Sequence, residues 1–274
     1  MDSTVPLWLV DTHCHLNFAE FDQDRLQVVE KARESGLSRI LIPGIDLPTC
    51  LSALELARQY PEVFAAVGIH PNIDMRQPEA ALSEIKRLTS GDKVVAIGEI
   101  GLDYYRQSTP KGLQLSLFRA QLELAAELGL PVIIHNRDTS EDLLGLLHQW
   151  HKELVKSGSK LASHPGVLHS FSAGHQVARE AVELGFKLGI AGPVTFRKAH
   201  QLQSVVASLS LEALLVETDA PYQTPHPFRG KRNEPANVRI VAEKIAELKQ
   251  VPVDVVAKIT TESADQLFNW REIR

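Results

Sequence analysis

The sequence predicts an α/β fold, a (β/α)8 TIM barrel formed by residues 1–274 as a single domain. Short β-branched, apolar runs alternate with longer segments of helical periodicity, and the alternation repeats eight times. The short runs are apolar throughout, which indicates strands that are buried on both faces. A closed barrel, commonly built from about 250 residues, accounts for this better than an open doubly wound sheet, which stays an alternative.

The predicted strands are the eight short apolar runs, and each is followed by a polar or glycine-containing segment. In chain order they are residues 7–12, 39–43, 64–68, 94–98, 131–134, 167–168, 187–190 and 214–217.

The predicted helices lie between these runs. Several of them end at a glycine, which permits the left-handed conformation of a helix cap, as at Gly36, Gly129 and Gly185. The helical segments are residues 25–35, 49–60, 79–88, 113–128, 141–155, 176–184 and 201–209, with 237–249 and 253–268 closing the outer ring.

The composition is that of a globular protein, with 44% apolar and 23% charged residues. No apolar run approaches the roughly 18 residues of a membrane span, and the N-terminus lacks the features of a secretory signal. Two cysteines, Cys14 and Cys50, are too few for a disulfide framework and fit a reducing compartment. We therefore expect a cytoplasmic protein with no membrane association and no obligate protein partner.

Residues of the types that commonly bind metals follow six of the eight predicted strands. In a TIM barrel the carboxyl ends of the strands form the active site, so these side chains are expected to converge. A buried acid at the end of an apolar strand is costly unless it is paired or bound to a metal. The residues, in chain order, are His13 and His15, His70, Glu99, His135, His169 and Asp219.

Apart from His70, these are four imidazoles and two carboxylates, which exceed the needs of one tetrahedral zinc ion, so the set suggests two divalent ions. Glu99 is the expected bridge between them. Asp219 and the two first-strand histidines would hold one ion, while His135 and His169 would hold the other. Zn, Mn or Co suits so many imidazoles better than Mg alone.

Seven motifs make the chain resemble the TatD family of metal-dependent deoxyribonucleases, within the amidohydrolase superfamily, from Val10 to near Phe268. The resemblance implies a barrel fold, a cytoplasmic setting, metal binding by the six residues of the proposed two-ion site, and DNA hydrolysis with exonuclease and apurinic-site activities. Two departures occur: Asn72 stands where many relatives have a second histidine, and Asn136 replaces a serine. The motifs are DTHCHL (11–16), GIHP (68–71), GEIGLDY (98–104), PVIIHNRD (131–138), HSFS (169–172), ETDAPY (217–222) and RGKRNEP (229–235).

The expected reaction is phosphodiester hydrolysis by a hydroxide bridging two metal ions, with Glu99 and Asp219 as catalytic residues and Asp219 as general base or proton shuttle. The expected substrate is DNA, single-stranded or at an end. The net charge of −5 argues against a general nucleic-acid coat but permits a local basic groove. His70 and Asp103 are expected beside the metal ligands, and the candidates for substrate contacts are Tyr104, Arg137, Tyr222, Arg229, Lys231 and Arg232.

Two other functions stay open. A related two-metal hydrolase could cleave a small amide or ester, although the basic loop after Asp219 and the absence of a strand-end lysine favour a phosphodiester. A non-catalytic nucleic-acid-binding protein is the other alternative. It fits less well because all six expected ligands are present.

Overall fold

The computed structural model describes residues 8–73, 78–106 and 108–270, and its eight parallel strands confirm the predicted (β/α)8 barrel. Each strand pairs with the next along the chain. Leu7, the first residue of the predicted strand 7–12, lies outside the described residues. The strands are β1 (Leu9–Asp11), β2 (Leu37–Pro43), β3 (Val63–Val67), β4 (Val94–Asp103), β5 (Val132–Arg137), β6 (Gly166–Leu168), β7 (Lys187–Ile190) and β8 (Leu214–Val216).

The helices fall within two residues of the predicted bounds. Local signals explain several of these limits: Asp46 caps the second helix by accepting a 2.9 Å hydrogen bond from Thr49 N. Gly129, with φ of 67°, ends the fourth helix. The helices are α1 (Arg25–Glu34), α2 (Leu47–Gln59), α3 (Pro78–Leu88), α4 (Lys111–Leu128), α5 (Ser140–Ser157), α6 (His175–Glu183), α7 (His200–Ser208), α8 (Val238–Lys249) and α9 (Val253–Phe268).

Two strands continue beyond their predicted ends. The sequence ended the fourth strand at residue 98 and the fifth at residue 134, yet the paired strands run on until Asp103 faces Arg137. The register shifts between Ile97 and Ile100, which places Glu99 at an irregularity inside β4 and not after its end. The glycines around Glu99 resemble strand terminators in sequence, but here they let two backbones approach closely.

Hydrogen bonds between loops close the barrel at the carboxyl ends of β1 and β8. Thr12 N donates to Val216 O over 3.2 Å, and Asp219 N donates to His13 O over 2.8 Å. His15 N donates to the carbonyl that follows Asp219 over 2.7 Å. The histidine pair and Asp219 are therefore neighbours although about 200 residues separate them in sequence.

Aromatic residues fill the opposite, amino-terminal end of the barrel. Trp270, just after α9, lies 5.3 Å from the ring of Phe64 near the start of β3, and 5.0 Å from that of Phe268. These rings belong to one buried cluster with inward-facing strand residues such as Val10 and Leu215. The packed end leaves the carboxyl-terminal face for the candidate site. Within the described residues, no helix combines the length and the apolar character needed to cross a membrane.

Candidate metal centre

Glu99 lies at the middle of the centre, and its Oε1 atom faces three imidazoles. Oε1 is 3.0 Å from Nε2 of His169 and 3.1 Å from Nδ1 of His135. Nε2 of His70 lies 3.5 Å from the same oxygen. The sequence interpretation placed His70 beside the ligands, whereas the structure brings its ring nitrogen as near to Glu99 as those of the expected ligands.

The other carboxylate oxygen of Glu99 faces the histidine pair at the end of β1. Oε2 lies 3.5 Å from Nε2 of His13 and 3.8 Å from Nε2 of His15. Asp219 approaches the same two nitrogens from β8, with its Oδ1 atom at 3.8 and 3.5 Å. One carboxylate thus separates two groups of potential ligands.

The donor atoms fit divalent metal ions. Zn–N and Zn–O bonds of about 2.0–2.2 Å put neighbouring ligand atoms about 3–3.5 Å apart around one ion, and Nε2 atoms of His13 and His15 are 3.3 Å apart. Mixed imidazole and carboxylate ligands suit Zn, Mn or Co. Within the described residues, three overlapping groups could hold an ion: His13, His15 and Asp219; His13, Glu99 and His169; and His70, Glu99 and His135.

The electrostatics of the centre favour the metal-binding protonation state at Glu99, His13 and His70 but not at two other imidazoles. Burial lowers the pKa of His70 to about 3, and it also lowers the pKa of His13. Burial opposes ionisation of Glu99, but the surrounding imidazoles, His169 foremost, outweigh it and hold the pKa well below its usual range. Burial acts to lower the pKa of His169 and of His135, but neighbouring carboxylates, Glu99 foremost at His169 and Asp103 foremost at His135, outweigh it and raise both pKa values. Neutral imidazoles and an ionised carboxylate are the metal-binding forms.

Further acids lie behind the ligand side chains. Asp103 Oδ2 lies 3.1 Å from Nε2 of His135, the ring nitrogen turned away from Glu99. A carboxylate on the far nitrogen fixes the orientation of a ligating imidazole. Glu217 lies behind His169, but its Oε1 atom is 3.6 Å from Nδ1, which is beyond hydrogen-bond distance. Asp103 was predicted beside the ligands, whereas Glu217 was missed, although an acid at the end of an apolar strand is itself a signal.

Two more side chains missed from the sequence hold the loop that carries Asp219. Asp11 is fully buried and accepts hydrogen bonds from Thr218 N at 2.9 Å and from Thr218 Oγ1 at 2.6 Å. Gln223 donates from Nε2 to Asp219 Oδ2 over 2.6 Å. The carboxylate of Asp219 is therefore fixed on both sides, with Oδ1 toward the histidine pair.

A cavity of about 720 Å³ opens above the centre. Of the predicted substrate contacts, Arg137 and Tyr222 line it, together with His70 and Asp103. Arg106, which the sequence interpretation did not select, lines it as well. In the sequence, Arg106 is a single arginine beyond a predicted strand end, and nothing there distinguishes it from other arginines.

The other predicted substrate contacts do not line this cavity. The hydroxyl of Tyr104 donates to Asp142 Oδ2 over 2.7 Å. Arg232 forms hydrogen bonds of 2.8 and 2.7 Å with the two carboxylate oxygens of Asp24. Arg229 lies 4.1 Å above the ring of Phe196, and Lys231 lies 5.7 Å from the ring of Phe228. Contacts of these four residues with a substrate stay predictions.

A (β/α)8 barrel with histidines and acids gathered at the carboxyl ends of its strands is the architecture of a metal-dependent hydrolase. The family model described as "TatD related DNase" matches residues 10–269. The chain belongs to this TatD family of metal-dependent hydrolases, as the sequence motifs predicted.

Individual relatives agree with this assignment. The chain is 45% identical over 260 residues to the "Uncharacterized metal-dependent hydrolase YabD" of Bacillus subtilis, covering 95% of this chain and 98% of that protein. It is 34% identical to the "3'-5' ssDNA/RNA exonuclease TatD" of Edwardsiella piscicida, covering 95% and 99%. The crystal structure of the TatD homologue YjjV from Escherichia coli superposes with a TM-score of 0.87 at 33% identity, covering 95% of this chain and 98% of that one.

Proposed function

We propose that this chain is an exonuclease that hydrolyses phosphodiester bonds of DNA, at single strands or strand ends, with two divalent metal ions. One observation carries the proposal: Glu99 separates two groups of imidazoles beneath an open cavity that arginines line. The relative from Edwardsiella piscicida, which is named as an exonuclease on single-stranded DNA and RNA, supports the same substrate class.

The proposed ligands divide on the two sides of Glu99. His13, His15 and Asp219 would hold one ion, while His135 and His169, joined by His70, would hold the other. Bound divalent ions would lower the pKa of water and neutralise the charge that develops on a phosphate. Imidazole-rich ligation favours Zn, Mn or Co over Mg alone.

The chain's own residues supply the proton transfer and hold the substrate. Asp219 accepts the proton of the attacking water, and the 2.6 Å hydrogen bond from Gln223 keeps its carboxylate in place. Arg137 binds a phosphate oxygen through its guanidinium. Tyr222, which is 50% exposed and 6.4 Å from the ring of His15, offers a surface on which a base can stack.

Two other functions differ from this proposal in their requirements. A hydrolase of small amides or esters needs no cations at the mouth of the cavity, whereas Arg106 and Arg137 lie there. A non-catalytic nucleic-acid-binding protein needs no convergent ligand set. The cytoplasmic location expected from the sequence stays a prediction.

Cleavage of an end-labelled single-stranded DNA oligonucleotide by metal-stripped protein resupplied with Mg, Mn, Zn or Co tests the proposal. We expect a ladder that shortens from one end, requires metal, and slows at least about 100-fold in Asp219→Ala and Glu99→Ala. His200→Ala, an exposed histidine at the start of α7, is the matched control and should cleave normally. Full activity in either acid variant would exclude this metal assignment. Hydrolysis of small esters or amides without cleavage of DNA or RNA would favour the first alternative.

A further inference from the structure

Two arginines that line the cavity follow neighbouring strand ends, and neither has an acidic partner in the part of the chain that the structure describes. Arg137 ends β5 and Arg106 follows β4 by three residues, and the pairing of Asp103 with Arg137 puts these two strand ends together. Both arginines line the cavity, and no carboxylate among the described residues forms an ion pair with either. Arg232, in contrast, is already neutralised by Asp24.

Local contacts fix the backbone at Arg106 and restrain the side chain of Arg137. Asp103 Oδ1 accepts hydrogen bonds from Tyr105 N at 3.0 Å and from Arg106 N at 2.9 Å, which fixes the turn after β4. The guanidinium of Arg137 lies 3.9 Å from the centre of the Tyr105 ring, which restrains it as a cation–π contact. Tyr105 is 63% exposed, so this cation–π contact lies at the surface.

The same acid connects these two arginines with the metal centre. Asp103 Oδ2 lies 3.1 Å from Nε2 of His135, whose other ring nitrogen faces Glu99. The two arginines therefore lie beside the centre, on the His135 side. A group that they bind would lie next to the reacting phosphate, because the reacting phosphate itself occupies the metal centre.

Guanidinium groups that lack acidic partners and lie beside a centre that cleaves phosphodiesters are suited to bind a phosphate group. The planar fork of arginine matches two oxygens of a phosphate, and such charge-assisted bonds are about twice as strong as neutral ones. We propose that Arg106 and Arg137 form a subsite for the phosphate adjoining the bond that is cleaved. The inference rests on the proposed phosphodiesterase function, and it makes a polynucleotide end, not an isolated phosphodiester, the preferred substrate.

Dinucleotides with and without an extra terminal phosphate test the subsite. Thymidylyl-thymidine carries one phosphodiester and nothing else, while its 5'-phosphorylated and 3'-phosphorylated forms add one phosphate on a known side. We expect the wild-type enzyme to show a kcat/KM about tenfold higher for one of the two phosphorylated forms than for the bare dinucleotide. The favoured form identifies the side on which the subsite lies.

Variants connect that preference to the arginines. In Arg106→Gln and in Arg137→Gln the ratio of kcat/KM for the favoured form over the bare dinucleotide should fall toward one. Arg119→Gln removes an exposed arginine on α4 that does not line the cavity, and it should keep the wild-type ratio. On longer single strands, each arginine variant should also reduce the slope of log affinity against log salt by about 0.7.

The outcomes separate the subsite from the proposed function. A ratio near one in the wild-type enzyme, or a wild-type ratio in Arg106→Gln and Arg137→Gln, would overturn the subsite while leaving the phosphodiesterase in place. Equal losses on all three dinucleotides would show that the arginines act on the reacting phosphate and would also overturn it. If the enzyme hydrolysed neither the dinucleotides nor an oligonucleotide, the proposed function would be overturned, and the subsite with it.

Discussion

Glu99 depends on its neighbours more than any other residue of the centre. Its side chain is almost fully buried, and a carboxylate in that position is costly unless charges or hydrogen bonds compensate it. The compensation comes from imidazoles on both sides, with His169 nearest at 3.0 Å. An acid with one oxygen toward each of two ligand groups suits a bridging ligand, which is the role that the sequence predicted for it.

His70 is the residue whose role the sequence described least well. Strand order shows that it follows β3, but it does not show that its Nε2 atom comes within 3.5 Å of Glu99. Side-chain direction beyond a strand end depends on the loop, and here a hydrogen bond from His70 N to Ile45 O sets it. Tertiary contacts of this kind are invisible in a single sequence.

The position of His70 gives a prediction about metal binding. We expect His70→Ala to weaken binding of one divalent ion about 10–100-fold, because a nitrogen within reach of the ion on the His135 side is lost. Titration of metal-stripped protein with Zn or Mn, followed by measurement of bound metal, checks this. His200→Ala should bind metal normally. Unchanged affinity for both ions in His70→Ala would mean that His70 contacts the substrate and no metal.

For charged residues, a cluster in the sequence does not show which side chains are free to contact a substrate. The basic cluster at Arg229, Lys231 and Arg232 favoured a phosphate-binding loop, yet Arg232 is bidentate with Asp24. That partner lies more than 200 residues away in the chain. Arg106 is a lone arginine in sequence and stands at the cavity. Charge density along the chain does not report which cations are already paired.

At the scale of elements, the paired strands β4 and β5 position the centre. Beyond the register shift, Gly101 pairs with His135 in the ladder. A Cβ atom at residue 101 would lie 2.1 Å from the His135 carbonyl oxygen, and φ there is +139°. Glycine is therefore required where these backbones meet, and this contact between β4 and β5 is not visible in the sequence.

This close approach predicts the effect of adding one methyl group. Gly101→Ala should lower the free energy of unfolding by at least about 1–3 kcal/mol, because the backbone must leave its conformation or β5 must move. Gly145→Ala is the matched control: it lies inside α5 with nothing within 4 Å, and alanine should stabilise the helix by about 0.5–1 kcal/mol. Urea denaturation measures both. Equal stability of the two variants would contradict the requirement for glycine at residue 101.

The two ends of the barrel have different roles: one is packed with apolar side chains, and the other carries the candidate metal centre. Aromatic packing around Trp270 closes the amino-terminal end, while buried acids and histidines gather at the other. The sequence predicted the barrel and the end that carries the acids and histidines, because the apolar strands and the strand-end ligands both follow from local pattern. It did not predict the aromatic packing around Trp270. It could not predict loop conformations or ion pairs, which depend on contacts between distant parts of the chain. The single domain expected for residues 1–274 stays a proposal.

We expect metal binding to stabilise the whole barrel, because many potential ligand groups are concentrated at one end. Buried carboxylates close to one another, as Glu99 and Asp219 are, gain compensation from a divalent cation that binds the folded state. A free-ion concentration of 100 times Kd adds about 2.7 kcal/mol per ion to the free energy of unfolding. For a domain of this size, 1 kcal/mol corresponds to about 2–4 °C in Tm.

We therefore expect chelation to lower the Tm of the wild-type protein by about 5–10 °C for each ion removed, with recovery when Zn or Mn is restored. Glu99→Ala removes the carboxylate that faces both ligand groups, so its Tm should change far less on addition of a chelator. His200→Ala should respond as the wild type does. Differential scanning calorimetry with and without chelator measures these shifts. A wild-type Tm indifferent to chelation and to added metal would mean that the acids and histidines of the centre compensate one another without an ion.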